Sequence, residues 1–433
     1  MAGFAVAAAV GTLLLMLPAA TESGVSTPLV AALFTAVSAV CVTGLIVVDT
    51  PTYWSTFGEL VILGLIQVGG VGIMTLATLL GLLIARRVGL RLQLTAQAET
   101  KTLGLGEIRQ VVGGVLLLSV VIEFIVAVPL TLRFALAYDE PSGRAIYLGV
   151  FHAVSAFNNA GFALFTDSII PFATDPFICV PIVVAVVLGG IGFPVLFEVS
   201  RRVRTPSGRR WTLHTRVTVI TYGVLAVVGI AVFLLAEWRN SATIGGYDVG
   251  GKLVVGLFHG IMPRTAGFNS IDVGEMYPAT LLVTDILMFI GGGSAGTAGG
   301  IKVTTFALLA FVIFAEVRGE PTVHVGDRRL PVPVQRQALT VALLGVGLVA
   351  VGTVTLLSIT DFRLDDVLFE VVSAFGTVGL STGITADLPA SGMLVLTALM
   401  FLGRLGPITL ASALALRERE RRYELPEERT IVG

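Results

Sequence analysis

Four stretches of eight residues contain the groups in this chain that are best suited to binding an ion. The seventh residue of each stretch is a glycine, and these glycines, Gly44, Gly161, Gly267 and Gly379, lie 117, 106 and 112 residues apart. Glycine adopts backbone dihedral angles that other residues resist, so it can expose its carbonyl oxygen in unusual directions. Four such carbonyls would form an oxygen-lined site for a cation if the fold brought them together.

The last octet, residues 373–380, contains the first three letters of the potassium-channel filter sequence TVGYG. In that filter, backbone carbonyls replace the hydration shell of the ion. One tripeptide means little, but recurrence at a fixed period indicates structural repeats. We therefore predict a potassium filter that takes three residues from each octet, although close packing of small residues between membrane helices is an alternative. The filter residues are Val42, Thr43, Gly44, Asn159, Ala160, Gly161, Thr265, Ala266, Gly267, Thr377, Val378 and Gly379.

A second glycine-rich element follows each octet, at residues 67–72, 188–192, 291–302 and 402–407. These glycines predict a flexible point near the middle of the membrane helix that follows each filter. The third element has six glycines between positions 291 and 300, too many for a straight helix. We predict a broken helix whose unwound loop lies beneath the filter and gates it, with a simple packing notch as the alternative. The candidate gating residues are Gly292, Gly293, Ser294, Gly296, Thr297, Gly299, Gly300, Lys302 and Arg404.

Two of these gating residues are basic and lie in apolar segments. Arg404 stands where the first two glycine-rich elements have glycine, and a charge at this depth usually faces a cavity or a partner. We expect its guanidinium to repel cations below the filter or to donate to carbonyls of the 291–302 loop. The Lys302 ammonium could do the same, or it could extend toward the cytoplasm.

Four further ionisable residues are weaker candidates. His152 and His259 each follow a phenylalanine of a predicted pore helix, where they would form a ring in the outer vestibule or pack the pore helices. Glu123 and Asp285 lie within predicted spans, where they would bind a coupling ion or take a hydrogen-bonded structural role. The sequence contains no arrangement typical of a catalytic triad, a metal cluster or a phosphate loop. We therefore predict that the chain is not an enzyme.

The elements that position these residues are membrane helices. The chain has 433 residues, of which 55% are hydrophobic and 13% are charged, against about 25% charged residues in soluble domains. Each octet ends an apolar segment of about 15 residues, too short to cross a hydrocarbon core of about 30 Å, and longer apolar segments flank it. We predict an all-α polytopic membrane protein of four M1-P-M2 repeats around one central pore. It would have eight spans, among them 176–199 and 213–237, and four re-entrant pore helices, among them 364–376.

The positive charges orient these repeats in the membrane. The three loops between repeats and the C-terminal tail hold 20 of the 28 lysines and arginines. The positive-inside rule therefore places these segments in the cytoplasm and the filter mouths outside. We predict a multi-pass protein of the bacterial inner membrane with a cytoplasmic C-terminus. The predicted units are 1–88, 108–204, 211–318 with the gating loop 291–302, 335–417, and a tail at 418–433.

The octets, the loop from Gly291 to Lys302 and the motif at 403–407 resemble the Trk/Ktr/HKT superfamily of potassium transporters over nearly the whole chain. The resemblance is strongest to the membrane subunit of Ktr systems. It implies one dominant potassium site near the four glycines, and gating by the third-repeat loop together with the fourth-repeat arginine. It also implies a homodimer on a cytosolic ring of RCK subunits of the KtrA/TrkA type, which would carry the regulatory nucleotide. The third octet departs from the pattern, because it lacks the Ser-Ala start and contains Pro263-Arg264, an extra cation near the filter.

The predicted function is potassium uptake, with sodium dependence left open. One alternative is a sodium-selective or poorly selective cation transporter, because only Thr377-Val378-Gly379 keeps the TVG letters and no octet keeps the second glycine of TVGYG. Another alternative is the channel-like subunit of an ATP-driven potassium pump. The expected partners are the lipid bilayer, a second copy of the chain and the cytosolic ring, and no nucleic acid is expected.

Overall fold

The structure is a computed structural model that describes residues 2–93, 105–204, 211–326 and 328–416. The described chain is mostly α-helical, as the apolar segments predict. The predicted cytoplasmic tail at 418–433 lies outside the described residues.

The helices of the first half follow the predicted segments with one difference. The first predicted repeat supplies α1 (Ala2–Leu15), α2 (Leu29–Val40), α3 (Thr50–Tyr53) and α4 (Thr56–Gln93). The second supplies α5 (Leu105–Ala137), α6 (Ser142–Phe157), α7 (Pro176–Gly190) and α8 (Phe193–Arg204). The difference is that the predicted single span at 176–199 is bent by 102° between α7 and α8. Gly192 lies in this bend with a φ of 103°, which favours glycine.

The second half contains a longer interruption and a small hairpin. The third predicted repeat supplies α9 (Leu213–Glu237), α10 (Val249–Ile261), α11 (Pro278–Ile290) and α12 (Val303–Val317). The fourth supplies α13 (Val332–Ile359), α14 (Leu364–Gly376) and α15 (Ala390–Leu416). The segment at 291–302 is not helical, in agreement with its glycine content. Between α12 and α13, strands β1 (His324–Val325) and β2 (Arg328–Arg329) pair antiparallel where the sequence predicts only a loop.

Four of the described helices are long and apolar enough to cross a bilayer alone: α4, α5, α9 and α13. The bent pair α7 and α8 would be a fifth crossing if it counts as one span. Helices α1, α11 and α12 are apolar but have only 14, 13 and 15 residues. The predicted count of eight spans therefore depends on combining short helices into crossings.

The short helices α2, α6, α10 and α14 are buried over most of their length, and each ends inside an octet. The phenylalanines that precede the filter glycines by nine or ten residues have no exposed surface: Phe34, Phe151, Phe258 and Phe369. The longer helices turn apolar side chains outward, for example Leu117 and Phe124 on α5, as lipid-facing helices do. The octets are thus enclosed by protein, which irregular backbone at membrane depth requires.

The glycines of the second elements act mainly as points of close contact. Helices α4 and α15 run without interruption through their glycine-rich elements, so the predicted flexible point is not a helix break in these two. One glycine of each of three elements lies against a backbone carbonyl at the end of a pore helix. Gly69, Gly189 and Gly403 face the carbonyl oxygens of Val40, Phe157 and Phe375, respectively. Each of these oxygens belongs to the third residue of an octet, so the missing side chain lets the long helix approach the filter.

A matched pair of glycines on α4 tests this contact. A methyl group on Gly69 would overlap the Val40 carbonyl, which is backbone and cannot move without α2. We expect Gly69→Ala to destabilise the purified protein by about 1–3 kcal/mol, as overpacking does, and to lower its Tm in detergent. Nothing lies within 4 Å of an alanine side chain at Gly64, so Gly64→Ala is the control and should be neutral or stabilising. Equal Tm values for the two variants would contradict the contact role.

Candidate ion-binding site

The backbone of all four octets adopts the same unusual conformation. The fifth residues have positive φ between 49° and 73°: Val42, Asn159, Thr265 and Thr377. The filter glycines two positions later have φ between 69° and 93°, and the residue between them has negative φ. Backbone that alternates between left- and right-handed residues turns successive carbonyls to one side and N–H groups to the other. Positive φ at a β-branched residue such as Val42 costs about 1–3 kcal/mol, so the surrounding structure must enforce it.

The structure brings the four glycines together in a closed ring. A Cβ atom added to Gly161 would lie 2.7 Å from the Cα of Gly267, and one on Gly267 would lie 3.2 Å from the Cα of Gly379. A Cβ on Gly379 would lie 3.0 Å from the Cα of Gly44, and one on Gly44 would lie 3.2 Å from the Cα of Gly161. The octets therefore follow one another around the ring in chain order, and no side chain fits at the glycines without distorting it.

Carbonyl oxygens of the sixth residues lie between neighbouring octets of this ring. Each oxygen is next to the glycine of the preceding octet, so that a Cβ on Gly267 would lie 2.6 Å from the Val378 oxygen. The other three oxygens belong to Thr43, Ala160 and Ala266. The pore helices also end at the octets, so the negative ends of their dipoles point at the ring. Carbonyl oxygens and helix C-termini together favour a cation.

In three octets, the serine at the first position is hydrogen-bonded to the backbone at the end of the same octet. The Ser38 hydroxyl accepts a hydrogen bond from the Gly44 N–H at 3.1 Å and donates to the Leu45 carbonyl at 2.8 Å. Ser155 and Ser373 each make one of these two bonds in their own octets, at 2.8 and 3.1 Å. The serines recur in the sequence, but only the structure shows that they hold the left-handed backbone in place.

The third octet has Ile261 instead of serine and is anchored differently. Its fourth residue, Arg264, is almost completely buried and donates from Nη1 to the Tyr222 carbonyl of α9 at 2.7 Å. The guanidinium also lies over the Tyr222 ring, 4.6 Å from its centre. The guanidinium of this extra arginine is therefore held by its contacts with α9.

Residues 291–302 form a loop that is hydrogen-bonded to the bend between α7 and α8. The N–H groups of Gly293 and Thr297 donate to carbonyls at the end of α7, at 2.8 and 3.1 Å. The N–H of Phe193, the first residue of α8, donates to the Ala295 carbonyl at 3.1 Å. Gly296 lies against the same end of α7, with backbone facing backbone. The two interrupted helices therefore satisfy each other's free backbone groups.

The same loop contacts the second and fourth octets on one side of the ring. The Thr297 hydroxyl is 3.0 Å from the side-chain amide of Asn159. Gly299 lies against the Gly376 carbonyl and the Thr377 hydroxyl. These are fourth and fifth positions of octets, before the glycine, whereas the residues after the glycines line a cavity on the other side. The loop thus lies directly beneath the ring.

Both basic residues of the predicted gate hold carbonyls of this loop. The Arg404 Nη1 donates to the Thr297 carbonyl, and the side chain is buried. The Lys302 ammonium donates to the Ala298 carbonyl and, at 3.2 Å, to the Gly299 carbonyl, so it does not extend toward the cytoplasm. The remaining gating candidates lie in the same loop: Gly292, Ser294, whose hydroxyl is 2.8 Å from that of Thr304, and Gly300, with a φ of 69°.

The cavity on the far side of the ring has a volume of about 400 Å³ and an acidic wall that the sequence analysis missed. Asp49, Asp167 and Asp272 line it, five or six residues after the filter glycines of the first three octets. Their shared spacing from the glycines was the signal that would have identified them. Acidic groups around a pore mouth raise the local concentration of cations.

The two histidines lie in the core and do not line this cavity. The His152 Nε2 accepts a hydrogen bond from the Leu164 N–H at 3.3 Å, and His259 stacks on an aromatic ring of α9 at 4.5 Å between centroids. Glu370, at the matching position of α14, accepts from the Thr382 N–H at 3.2 Å. In the second and fourth repeats, this position therefore bonds the short helix to the segment that follows the filter glycine.

The two acidic residues of the spans have different surroundings. Glu123 on α5 accepts from the Asn158 amide at 3.1 Å and from the Gln67 amide at 3.3 Å. Asn158 is the fourth residue of the second octet, so Glu123 stabilises that octet by hydrogen bonding. Of the two roles considered for Glu123, these contacts favour the structural one. Asp285 on α11 is buried, and its Oδ1 has no hydrogen-bond partner in the part of the chain that the structure describes.

Comparison with known proteins links this geometry to one family. Residues 4–421 match the TrkH family, described as a cation transport protein. The chain is 38% identical to the Ktr system potassium uptake protein B of Bacillus subtilis, over 100% of this chain and 95% of that one. It is 35% identical to the protein of the same name from Vibrio alginolyticus, over 97% and 91%. It is 34% identical to the potassium/sodium uptake protein NtpJ of Enterococcus hirae, over 100% and 96%.

The fold is also similar to a solved structure. The crystal structure of the potassium transporter TrkH from Vibrio parahaemolyticus matches with a TM-score of 0.71, over 94% of this chain and 82% of that one. The two sequences are 19% identical. The similarity therefore concerns the arrangement of the helices.

Proposed function

The chain belongs to the TrkH family of cation transport proteins, and we propose that it is the membrane subunit of a Ktr-type system that takes up potassium into a bacterial cell. Two of the similar proteins are named potassium uptake proteins of a Ktr system. The observation that carries the proposal is the ring in which the four octets meet. Neutral carbonyl oxygens in such a ring replace the water shell of a weakly hydrated cation such as potassium.

The proposed path begins at the acidic cavity and ends at the loop. Asp49, Asp167 and Asp272 raise the cation concentration above the ring. The ion exchanges water for the carbonyl oxygens of the filter residues and then reaches the 291–302 loop, which lies beneath the ring. Transport therefore requires the loop to move.

Selectivity is proposed to be weaker than in a potassium channel. Three of the four octets lack the TVG letters, and the ring is formed by one glycine from each octet. A relative at 34% identity is named a potassium/sodium uptake protein. A sodium-permeable or sodium-dependent transporter is therefore the second candidate.

We assign the helices to four M1-P-M2 repeats in the membrane. The re-entrant pore helices are α2, α6, α10 and α14, because they are short and end at the ring. The eight crossings are α1, α4, α5, the bent pair α7–α8, α9, the interrupted pair α11–α12, α13 and α15. The distribution of basic residues supports an outer position for the acidic cavity and a cytoplasmic position for the C-terminus.

Regulation is proposed to come from other chains. The name Ktr system, borne by two relatives, denotes several components. We propose a homodimer bound to a cytosolic ring of RCK subunits that carry the nucleotide. The basic loops and the tail of the chain provide the cytoplasmic surface that such a ring would contact.

Rescue of a bacterium that lacks its potassium uptake systems tests the proposed function. Cells that express the chain should grow at low external potassium, and growth with and without sodium shows whether sodium is required. The Ktr-type RCK subunit is expressed alongside, and a vector without the gene is the control. Growth that depends instead on a P-type ATPase partner would favour the pump alternative, and sodium uptake without potassium uptake would favour a sodium transporter.

The filter assignment predicts a specific kinetic defect. We expect Gly161→Ser and Gly379→Ser to raise the apparent KM for potassium by roughly tenfold, because each side chain would be strained and would enter the ring. Gly24→Ser is the control, since Gly24 also has a positive φ, of 68°, but nothing lies within 4 Å of a side chain there. An unchanged KM in both filter variants, measured by potassium uptake in cells, would remove the filter assignment.

The gate assignment predicts a leak. Deletion of residues 293–299 removes the loop beneath the ring, and Arg404→Ala removes both its charge and its bond to Thr297. We expect both variants to transport faster in proteoliposomes that contain neither regulator nor nucleotide. For Arg404→Ala the gain should be roughly fivefold, which corresponds to about 1 kcal/mol of barrier.

Arg404→Lys is the matched control for the gate, because it keeps a positive charge at the same depth. It should be slower than Arg404→Ala in the same flux assay. If both the deletion and Arg404→Ala expressed and folded normally yet showed flux at or below wild type, the loop would be a packing element instead.

Truncation of the tail after Arg417 tests the proposed partner. The removed segment carries arginines that would contact the cytosolic ring. We expect the truncated protein to retain less RCK subunit in a pull-down from detergent. Full retention would leave the tail with a role in membrane topology alone.

A further inference from the structure

Two parts of the chain that are distant in the sequence meet at one cleft on the side of the protein assigned to the cytoplasm. One wall consists of the end of α8 and the start of α9, and the other consists of the β1–β2 hairpin. The cleft has a volume of about 1440 Å³. Four arginines line it, two from each wall: Arg202, Arg216, Arg328 and Arg329.

Among the described residues, none that lines the cleft is acidic, and the Glu198 carboxylate on α8 is bonded to Thr212 and Thr215, not to these four guanidinium groups. None of them forms an ion pair or a side-chain hydrogen bond with a residue in the described ranges. Arg216 reaches across to the hairpin, where its Nη1 would lie 3.9 Å from a Cβ on Gly326. Like charges that face one cavity repel each other, and a bound anion relieves that repulsion. The planar, forked guanidinium group matches the oxygens of a phosphate in particular.

The rest of the cleft is apolar and lies at the end of a membrane helix. Val199 and Ile220 line it and are 37% and 54% exposed, so their side chains contact no protein on that side. Trp211 is 41% exposed two residues before α9 begins, a position typical of tryptophan at the boundary between bilayer and water. The Arg202 guanidinium lies 5.9 Å from the centre of its ring. The cleft therefore combines groups that suit a phosphate with an exposed apolar surface that suits hydrocarbon.

We propose that this cleft binds an anionic phospholipid of the cytoplasmic leaflet. The lipid phosphate lies among the four arginines, and an acyl chain lies along Val199 and Ile220. Basic pockets between membrane helices on the cytoplasmic side suit such headgroups. The acidic surface of a soluble protein would satisfy the arginines but would leave the exposed apolar wall without a partner. The proposal is independent of the filter and of the transported ion.

Quenching of Trp211 fluorescence by brominated lipid tests the proposal on the full-length protein. The protein is reconstituted in phosphatidylcholine vesicles with a small fraction of acyl-brominated phosphatidylglycerol, or of acyl-brominated phosphatidylcholine. The Trp211 signal is obtained by subtracting the fluorescence of the Trp211→Phe variant from that of the wild-type protein. Phosphatidylglycerol should quench at lower mole fraction than phosphatidylcholine, and Arg328→Ala/Arg329→Ala should weaken that preference by roughly tenfold.

Arg318→Ala is the control for the loss of an exposed positive charge. Arg318 lies in the same inter-repeat segment but outside the cleft, 3.9 Å from Glu320, and its removal should leave the lipid preference unchanged. Equal quenching by the two lipids, or an unchanged preference in the double variant, would overturn the proposal. Loss of the preference in millimolar inorganic phosphate would instead identify a site for free anions. If the double variant leaves the quenching unchanged but captures less RCK subunit in lipid-free detergent, the cleft is a protein-docking surface.

Discussion

The constraint on which this structure depends is a left-handed backbone that must be held at membrane depth. Carbonyls that face a pore take no part in a helix, and unpaired backbone groups cost several kcal/mol in a bilayer. Hydrogen bonds within each octet and the packing of other helices around it both hold this backbone in place. The serines bond the ends of an octet, as Ser38 does with Gly44, and the pore helices are enclosed by longer helices that approach through glycines such as Gly69.

Helix boundaries could be predicted from the sequence where hydrophobicity decides them. Helices α9 and α14 begin and end at the predicted residues, 213–237 and 364–376, and the glycine content of 291–302 indicated a break. The bend at 191–192 could not be predicted. Elements 67–72 and 188–192 both contain three glycines, yet α4 remains straight and α7 ends. The difference is tertiary, because the 291–302 loop donates to the carbonyls at the end of α7 and accepts from α8.

In the candidate site, too, some residues could be predicted from the local sequence, whereas others depend on contacts between distant segments. Repetition of the octets was sufficient to select the glycines that form the ring. The supporting residues depend on contacts between segments far apart in the chain, and periodicity says nothing of these. The third octet has Ile261 in place of the serine, and Arg264 anchors it to the Tyr222 carbonyl, 42 residues away. Asp49 belongs to the cavity wall because residues of all four repeats meet there.

The hydrogen bonds between the 291–302 loop and the α7–α8 bend couple the position of the loop to the tilt of α8. This helix has 12 residues and a length of about 18 Å at 1.5 Å per residue. Its first residue, Phe193, is bonded to the loop beneath the ring, and Arg202 near its other end lines the cleft beside the β1–β2 hairpin. The loop cannot leave its position without breaking these bonds or tilting the helix. Any binding event that changes the tilt of α8 therefore changes the stability of the loop in this position, and displacement of the loop changes the strength of that binding by the same factor.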